Sequence, residues 1–336
     1  MHYPKVSVII LNLNGKVYLK NCFESLKGQT YPNYEVIMVD NASTDDSVDY
    51  VNKKFPWVKV ISNEENMGFA MGNNIGAEHA IGDYLVFLNN DTKVDNRSLE
   101  EMVRTVESNS SIGICGCKTL EFDGRTLIGG VGGLCDIYCY PYPRGSGVDS
   151  HQYDFITAVF VVSGAAFLIR HQLFAKIGGF DSKYFIYVEE MDLCWRTHLF
   201  GYRVVVNPFS VVYHKGGRTT SKIDYAKRRY FMERNTLRTL LKNYDTFTLF
   251  RVLPSYFALI FPELLLSVLL GNMQRVTGLV RAILWNIVNF KGTWCLHNKI
   301  QKTRVVSDEV IQSKLIRKSL KILHITELLK HASLNA

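Results

Sequence analysis

The stretch that decides the fold is YLVFLNNDT, Tyr84 to Thr92. Five largely apolar residues with the profile of a buried strand run straight into two asparagines and an aspartate. The same event recurs upstream. VSVIILN ends at Asn12 with Asn14 just beyond, YEVIMVDNAS carries Asp40 and Asn41, and VKVISN leads to Asn63 and Asn66. Between these strands lie helical patterns: GKVYLKNCFESLKGQ, stopping at Gly28; STDDSVDYVNKKF, opened by a Ser43 or Thr44 cap; and a helix over residues 69–80. Strands alternating with helices predict βαβ units and a parallel sheet. In such sheets ligands sit at the carboxyl ends of the strands, where these polar residues recur. A turn or cap role is open to each one alone; four strand ends behaving alike point to a shared crevice.

The chain has 336 residues, 47% of them hydrophobic, enough for a large core, and one large domain plus an appendage is the simplest division. Its formal net charge of +8 hides an asymmetry. Residues 1–217 carry 19 Lys/Arg against 24 Asp/Glu, a balance of −5, whereas residues 218–336 carry 20 against 7, a balance of +13. A basic, apolar tail implies an anionic partner, nucleic acid or a lipid surface. The seven cysteines lack zinc-type spacing, and Cys115-Gly-Cys117 and Cys135 to Cys139 read as reduced buried thiols, which favours the cytosol. MHYPKVSVII does not have the pattern of a signal peptide.

A dinucleotide fold would place G-x-G-x-x-G after the first strand and a P-loop G-x-x-x-x-G-K-[ST]; LNLNGK is neither. Gly68, Gly72 and Gly76, four apart, read as close helix packing. VSVIILNLNG, VIMVDNASTDDS, NMGFAMGNNIGA, YLVFLNNDT, VSGAAFLIRHQLFAKIGGFD and FIYVEEMDLCWRTHLFGYRV resemble, in that order, the successive motifs of glycosyltransferase family 2. The likeness is nearest to its rhamnosyltransferase-like members of surface polysaccharide synthesis and covers residues 5–217.

The resemblance implies a GT-A fold: a Rossmann-like mixed α/β sheet flanked by helices, here spanning residues 1–217. Residues 218–336 would form a helical, membrane-associating region. It also implies an inverting, metal-dependent glycosyltransferase that uses Mg²⁺ or Mn²⁺ and a nucleotide-diphosphate sugar. Asn89, Asn90 and Asp91 stand in the place of the family's DXD metal motif, with Asp91 at its final acid. A hard cation that offsets the charge of a departing diphosphate chooses such oxygens. Asp40 matches the position that recognises the base, and an acceptor-only carboxylate suits the imide N–H of uracil or thymine, favouring UDP- or dTDP-sugars. Asn12 and Asn14 are expected to line the base and ribose pocket, and Asn41 to take part in donor binding. Asn66 and Gly68 precede a helix N-terminus suited to phosphate. His214, at the end of SVVYH, is a candidate for metal or phosphate. Lys215 and Arg218 are candidate phosphate contacts, and Gly164 lies in a segment expected beside donor and acceptor.

An inverting transfer also needs a base. Glu190 lies where the family's base is expected, Asp192 is the reserve, and Glu189 completes the acidic cluster. On a helix Glu189 and Asp192 share a face, and Arg196 is spaced to pair with Asp192. Trp195 reads as a core aromatic. Residues 118–155, rich in Gly, Tyr and Pro, read as a long loop.

In the tail, residues 252–270 approach the length of a membrane span, interrupted by Pro254, Pro262 and Glu263. Aromatic-rich basic helices lying in an anionic interface are the favoured reading. The expected protein is therefore cytoplasmic and attached peripherally to the cytoplasmic face of the membrane, with a lipid-linked glycan as acceptor and no nucleic acid as partner. Two other classes stay open: a sugar nucleotidyltransferase, and a nonenzymatic protein that binds membrane or nucleic acid through its basic tail.

Overall fold

The computed structural model describes residues 3–122, 127–216, 223–316, 319–323 and 326. The chain divides into two compact units, one of residues 1–133 and 143–217, the other of 134–142 and 218–336. The first opens with β1 (Val6–Asn12), α1 (Lys16–Lys27), β2 (Tyr34–Asp40), α2 (Ser47–Lys54), β3 (Lys59–Ser62), α3 (Gly68–Glu78) and β4 (Tyr84–Asn89). It continues through β5 (Thr92–Val94), α4 (Ser98–Glu107), β6 (Ile112–Glu121) and β7 (Ile128–Gly130). The short strands β8 (Gly133–Cys135) and β9 (Pro141–Pro143) form a separate two-stranded sheet. Then come β10 (Thr157–Ala158), β11 (Ala166–Arg170), α5 (His171–Ile177), α6 (Glu189–Leu199) and β12 (Arg203–His214). Residues 118–155 are thus not one long loop: β6 runs on to Glu121, and the backbone polar groups beyond it pair in short strands.

The main sheet has the order β10-β12-β6-β11-β4-β1-β2-β3, with β5 on β12 and β7 on β6. β1 pairs in parallel with β2 and with β4, while β11 is antiparallel to β4 and β6, so the sheet is mixed. One face is covered by α1 and α4: Leu19, Phe23 and Leu26 join Leu99, Met102 and Val106 against Val6, Val8 and Ile10. α3 packs on the opposite face, where a Cβ on Gly76 would fall 2.5 Å from Ile9 and 3.0 Å from Val39. The close-packing reading holds at Gly72 and Gly76. Gly68 instead turns the chain, with φ +77.

The second unit contains α7 (Tyr225–Asn243), α8 (Thr246–Leu269), α9 (Met273–Val288), α10 (Phe290–Thr303) and α11 (Asp308–Ser313). Pro254 and Pro262, expected as interruptions, both lie inside the continuous helix α8. Buried Glu233 of α7 accepts from the hydroxyls of Tyr140 and Tyr256 and from Lys321 Nζ (2.7 Å).

Gly76→Val should lower the unfolding free energy by about 1–3 kcal/mol through overpacking. The measurement is a urea midpoint that falls while the slope stays constant.

Candidate active site

The register sets Asn12 opposite Asp40 and Leu11 opposite Asn89, bringing three strand ends to one edge. Buried Asn12 ties them together: its Nδ2 donates to Asp40 Oδ1 (3.0 Å) and Ser43 Oγ (3.1 Å), and its Oδ1 accepts from Asn90 Nδ2 (2.7 Å). Asp40 accepts in addition from Ser43 Oγ (2.6 Å) and from the Ser43 amide (2.8 Å). Ser43 therefore closes the turn after β2 instead of capping a helix. α2 begins only at Ser47, behind Asp46 in a left-handed conformation. Asn14, also left-handed with φ 50, accepts from the Thr44 amide (2.7 Å) and donates its own amide to Ser43 Oγ (2.9 Å). Gly15 has no room for a side chain, since a Cβ there would fall on Asn90 Nδ2 and 2.5 Å from Asn12 Oδ1.

A second polar cluster joins β2 to α3. Asn41 Nδ2 donates to Asn66 Oδ1 (3.3 Å) and the Gly68 carbonyl (3.1 Å), its Oδ1 accepts from Asn63 Nδ2 (2.8 Å), and Asn66 Oδ1 accepts from the Gly68 amide (3.0 Å). Asn41 and Asn66 are thus engaged with each other in holding the entry to α3.

Beyond β4, Asp91 Oδ1 lies 3.2 Å from His214 Nε2, with the side chains 12% and 22% exposed. Asn89 Nδ2 approaches the same imidazole nitrogen at 3.4 Å. β12 delivers His214 by pairing with β5, where it stands opposite Thr92. The next residue, Lys215, donates its backbone N–H to the Asp91 carbonyl (3.2 Å), and its ammonium lies over the rings of Phe122 (4.6 Å) and Tyr18 (5.4 Å). One carboxylate, one imidazole and a neighbouring amide suit a divalent cation that completes its shell with phosphate oxygens and water. Among the described residues no group of three or more His, Cys, Asp or Glu side chains is arranged to hold a metal ion. Arg218 lies outside the described residues.

α6 carries the acids. Tyr187 and Val188 precede it with φ 71 and 72, a left-handed pair that is costly for a β-branched residue and turns Glu189 and Glu190 into the first helical turn. Asp192 is buried and accepts from Arg196 Nη2 (2.7 Å) and Nε (3.0 Å), while Arg196 Nη1 donates to the Ile177 carbonyl (2.7 Å). Asp192 is committed to that pair, which removes it as the reserve base. Glu189 is buried too, and its Oε2 has no hydrogen-bond partner among the described residues. Burial pushes its carboxyl well above the ordinary glutamate value, and the neighbouring Glu190 pushes it further. Glu190 is half-buried and is likewise raised by burial. A Cβ on Gly164 would lie 3.6 Å from the Glu190 carboxyl carbon, and the next carbonyl, that of Ala165, accepts from the Asn89 amide (2.9 Å). The Gly164–Ala165 segment therefore bridges the turn bearing Asp91 and the carboxyl group of Glu190. Trp195 is a core residue, packed edge-on against Phe160 (5.5 Å).

Sequence reasoning did not anticipate Gly15, the turn role of Ser43, or the rings of Tyr18 and Phe122. Gly15, directly after Asn14 and three residues beyond the strand end at Asn12, was the one readable signal.

Residues 7–178 match the family model described as Glycosyl transferase family 2. The chain is 33% identical over 131 residues to the putative glycosyltransferase EpsH of Bacillus subtilis, an alignment covering 38% of each chain. It is 29% identical over 211 residues to the O-antigen biosynthesis protein RfbC of Myxococcus xanthus, covering 60% of this chain and 16% of that one. The matches span less than half the length of these relatives. Among solved structures, the mannosyltransferase PcManGT from Pyrobaculum calidifontis, in complex with GDP-Man and Mn²⁺, superposes with a TM-score of 0.52 at 20% identity over 72% of this chain and 64% of that one. That likeness is one of fold.

Asp192→Ala leaves the Arg196 guanidinium buried without its counter-charge and should cost about 3–5 kcal/mol. Glu190→Gln should stay within about 0.5 kcal/mol of the parent, as expected for a change outside a buried network. Urea denaturation of both variants separates the fastening acid from the half-buried one.

Proposed function

Because the chain belongs to glycosyl transferase family 2, we propose that it transfers a sugar with inversion from a nucleotide-diphosphate sugar to a hydroxyl of a glycan acceptor in surface polysaccharide synthesis. The observation that carries this reading is the convergence on one sheet edge of Asp91 with His214, of Asn12 with Asp40, and of Glu190 against Gly164. Asp91 and His214, with Asn89 beside them, would hold a Mg²⁺ or Mn²⁺. The similar mannosyltransferase from Pyrobaculum calidifontis is described with Mn²⁺. When bound, such an ion neutralises charge on the leaving diphosphate.

The chain's own residues do the rest. Asp40, with three of about four acceptor positions used, keeps capacity for one N–H of a pyrimidine base. Asn12, Asn14 and Asn90 fix that pocket. Lys215, next to His214 and with its ammonium over Phe122 and Tyr18, would offer that charge to phosphate. Glu190 takes the acceptor's proton as the new bond from oxygen to the anomeric carbon forms and the bond to the phosphate oxygen breaks. Its raised pKa makes it a stronger base than an exposed glutamate. Burial and the neighbouring Glu190 both oppose ionisation of Glu189, which favours placing the charge on Glu190.

We take the first unit as the transfer module and the second as its attachment to the anionic cytoplasmic face of a membrane, where a lipid-linked acceptor would be met. The basic balance of residues 218–336 and the apolar helix Thr246–Leu269 support this. A nucleotidyltransferase is disfavoured by the absence of a phosphate loop in LNLNGK.

Asp91→Asn should lower transfer about 10²-fold or more. Glu190→Gln should lower kcat by about 10²–10⁴-fold with the donor KM nearly constant. Since the base acts deprotonated, activity should fall as pH drops through a value above the ordinary 4.5, and Glu190→Gln should erase that limb. Thermal shifts with UDP, dTDP and GDP sugars, each with and without Mn²⁺, should be largest for the pyrimidine donors. A response to GDP donors alone would overturn the role given to Asp40.

A further inference from the structure

The second unit bears an apolar surface that its own packing does not use. Along α8 the exposed residues Phe247, Phe250, Ala258, Phe261, Leu265 and Leu269 recur at helical steps and form one stripe, with Pro254 and the single charge Arg251 on it between Phe250 and Ala258. Phe250 is 77% exposed and Leu269 74%. α9 repeats the pattern with Met273, Leu284, Ile287 and Val288. The opposite side of α8, with Val252, Tyr256, Ile260, Glu263 and Ser267, is buried. Glu263 fastens that side: Arg229 Nη2 lies 2.5 Å and Arg275 Nε 3.4 Å from its Oε1, and Lys321 Nζ 2.5 Å from its Oε2. These cations come from α7, α9 and residues 319–323.

Charge says what covers the stripe. Glu263 is the one acidic residue between Thr246 and Thr303, and it is buried, so the exposed charges of α8, α9 and α10 are Arg251, Arg281, Lys291, Lys299 and Lys302, all positive. Apolar stripes accompanied only by cations complement an anionic bilayer and repel basic partners. A helix that crossed a bilayer would show lipid an apolar surface on its remaining sides as well. α8 is apolar on its half-buried flanks too, at Leu253, Phe257, Leu264 and Leu266, but its inner side holds a carboxylate against three cations from α7, α9 and residues 319–323, which a spanning helix would carry into the hydrocarbon.

We propose that α8 lies in the plane of an anionic membrane interface, with its Phe247–Leu269 stripe inserted and its Glu263 side fastened to the unit, and that it does not cross the bilayer. This rests on the reading that the second unit attaches to a membrane.

The test uses the full chain with Cys295→Ser, which removes the exposed cysteine; the other six are buried. Nitroxide labels on single cysteines replacing Phe250, Ala258 or Leu265 are read for depth by electron paramagnetic resonance on phosphatidylglycerol–phosphatidylcholine vesicles. An in-plane helix gives three equal depths, about 5–10 Å into the headgroup boundary. A spanning helix separates positions 250 and 265 by roughly 22 Å along the membrane normal, and that gradient would overturn the in-plane orientation while leaving attachment intact. No vesicle binding of the unlabelled chain in low salt would overturn the attachment reading itself. Replacing Arg251 and Arg281 together with Gln should weaken vesicle binding about 25-fold at low ionic strength, roughly fivefold for each charge. Equal binding by that double variant would remove the electrostatic argument.

Discussion

Everything at the candidate site depends on the parallel register of β1 with its two neighbours. Because side chains alternate faces along a strand, a slip of one residue between β1 and β2 would turn Asn12 away from Asp40 and break the lock among three strand ends. The lock is dense: Asn12 alone joins Asp40, Ser43 and Asn90, and Asn14 returns from the next turn to hold Ser43 and Thr44. Buried amides and carboxylates are stable here because each is satisfied. A satisfied network also holds its members in one arrangement before any ligand arrives.

The other half of the site obeys a different constraint. α6 must present an acid to the sheet edge, yet its first turn holds Glu189, Glu190 and Asp192 together. The structure separates these three chemically identical groups by environment. Asp192 is held by Arg196 and anchors the helix to Ile177. Glu189 is buried with an unpaired oxygen, which favours its neutral form. Glu190 keeps access to solvent and stands against Gly164, where the lack of a side chain leaves space before its carboxyl group. The left-handed Tyr187 and Val188 set the angle at which all three enter.

The sheet was legible because its evidence is periodic: apolar runs ending in Asn or Asp, separated by helical patterns, define β1 to β4 and their shared edge. The ion pair of Asp192 with Arg196 was legible for the same reason, being a matter of spacing along one helix. What could not be read depends on distant partners. The start of α2 was misplaced because Ser43 resembles a cap, and only the neighbouring strand shows that Asn12 and Asp40 claim its hydroxyl. Asp192 looked available because sequence spacing reveals a partner without revealing burial. The Gly- and Tyr-rich stretch looked like a loop because strands of three residues, β7 to β9, carry no period to detect. Pro254 and Pro262 looked like breaks because local propensity disfavours them, and tertiary burial of the opposite face of α8 overrides it.

The basic surplus of residues 218–336 acquires meaning only once it is divided between interior and surface. Burial alone would raise the carboxyl of Glu233, but Arg229 and Lys321 prevail and hold it down to about 2, so it stays charged. Glu233 and Glu263 together engage Arg229, Arg275 and Lys321 inside the unit. A buried network of this kind contributes little net stability compared with well-packed apolar groups, but it fixes the relative placement of the helices that supply its members. It withdraws two acids and three cations together, and the exposed charges left on α8, α9 and α10, whose outer faces are apolar, are all positive. A single ionic cluster thus orders the helices and takes their acids inside, leaving exposed charges of one sign on α8, α9 and α10.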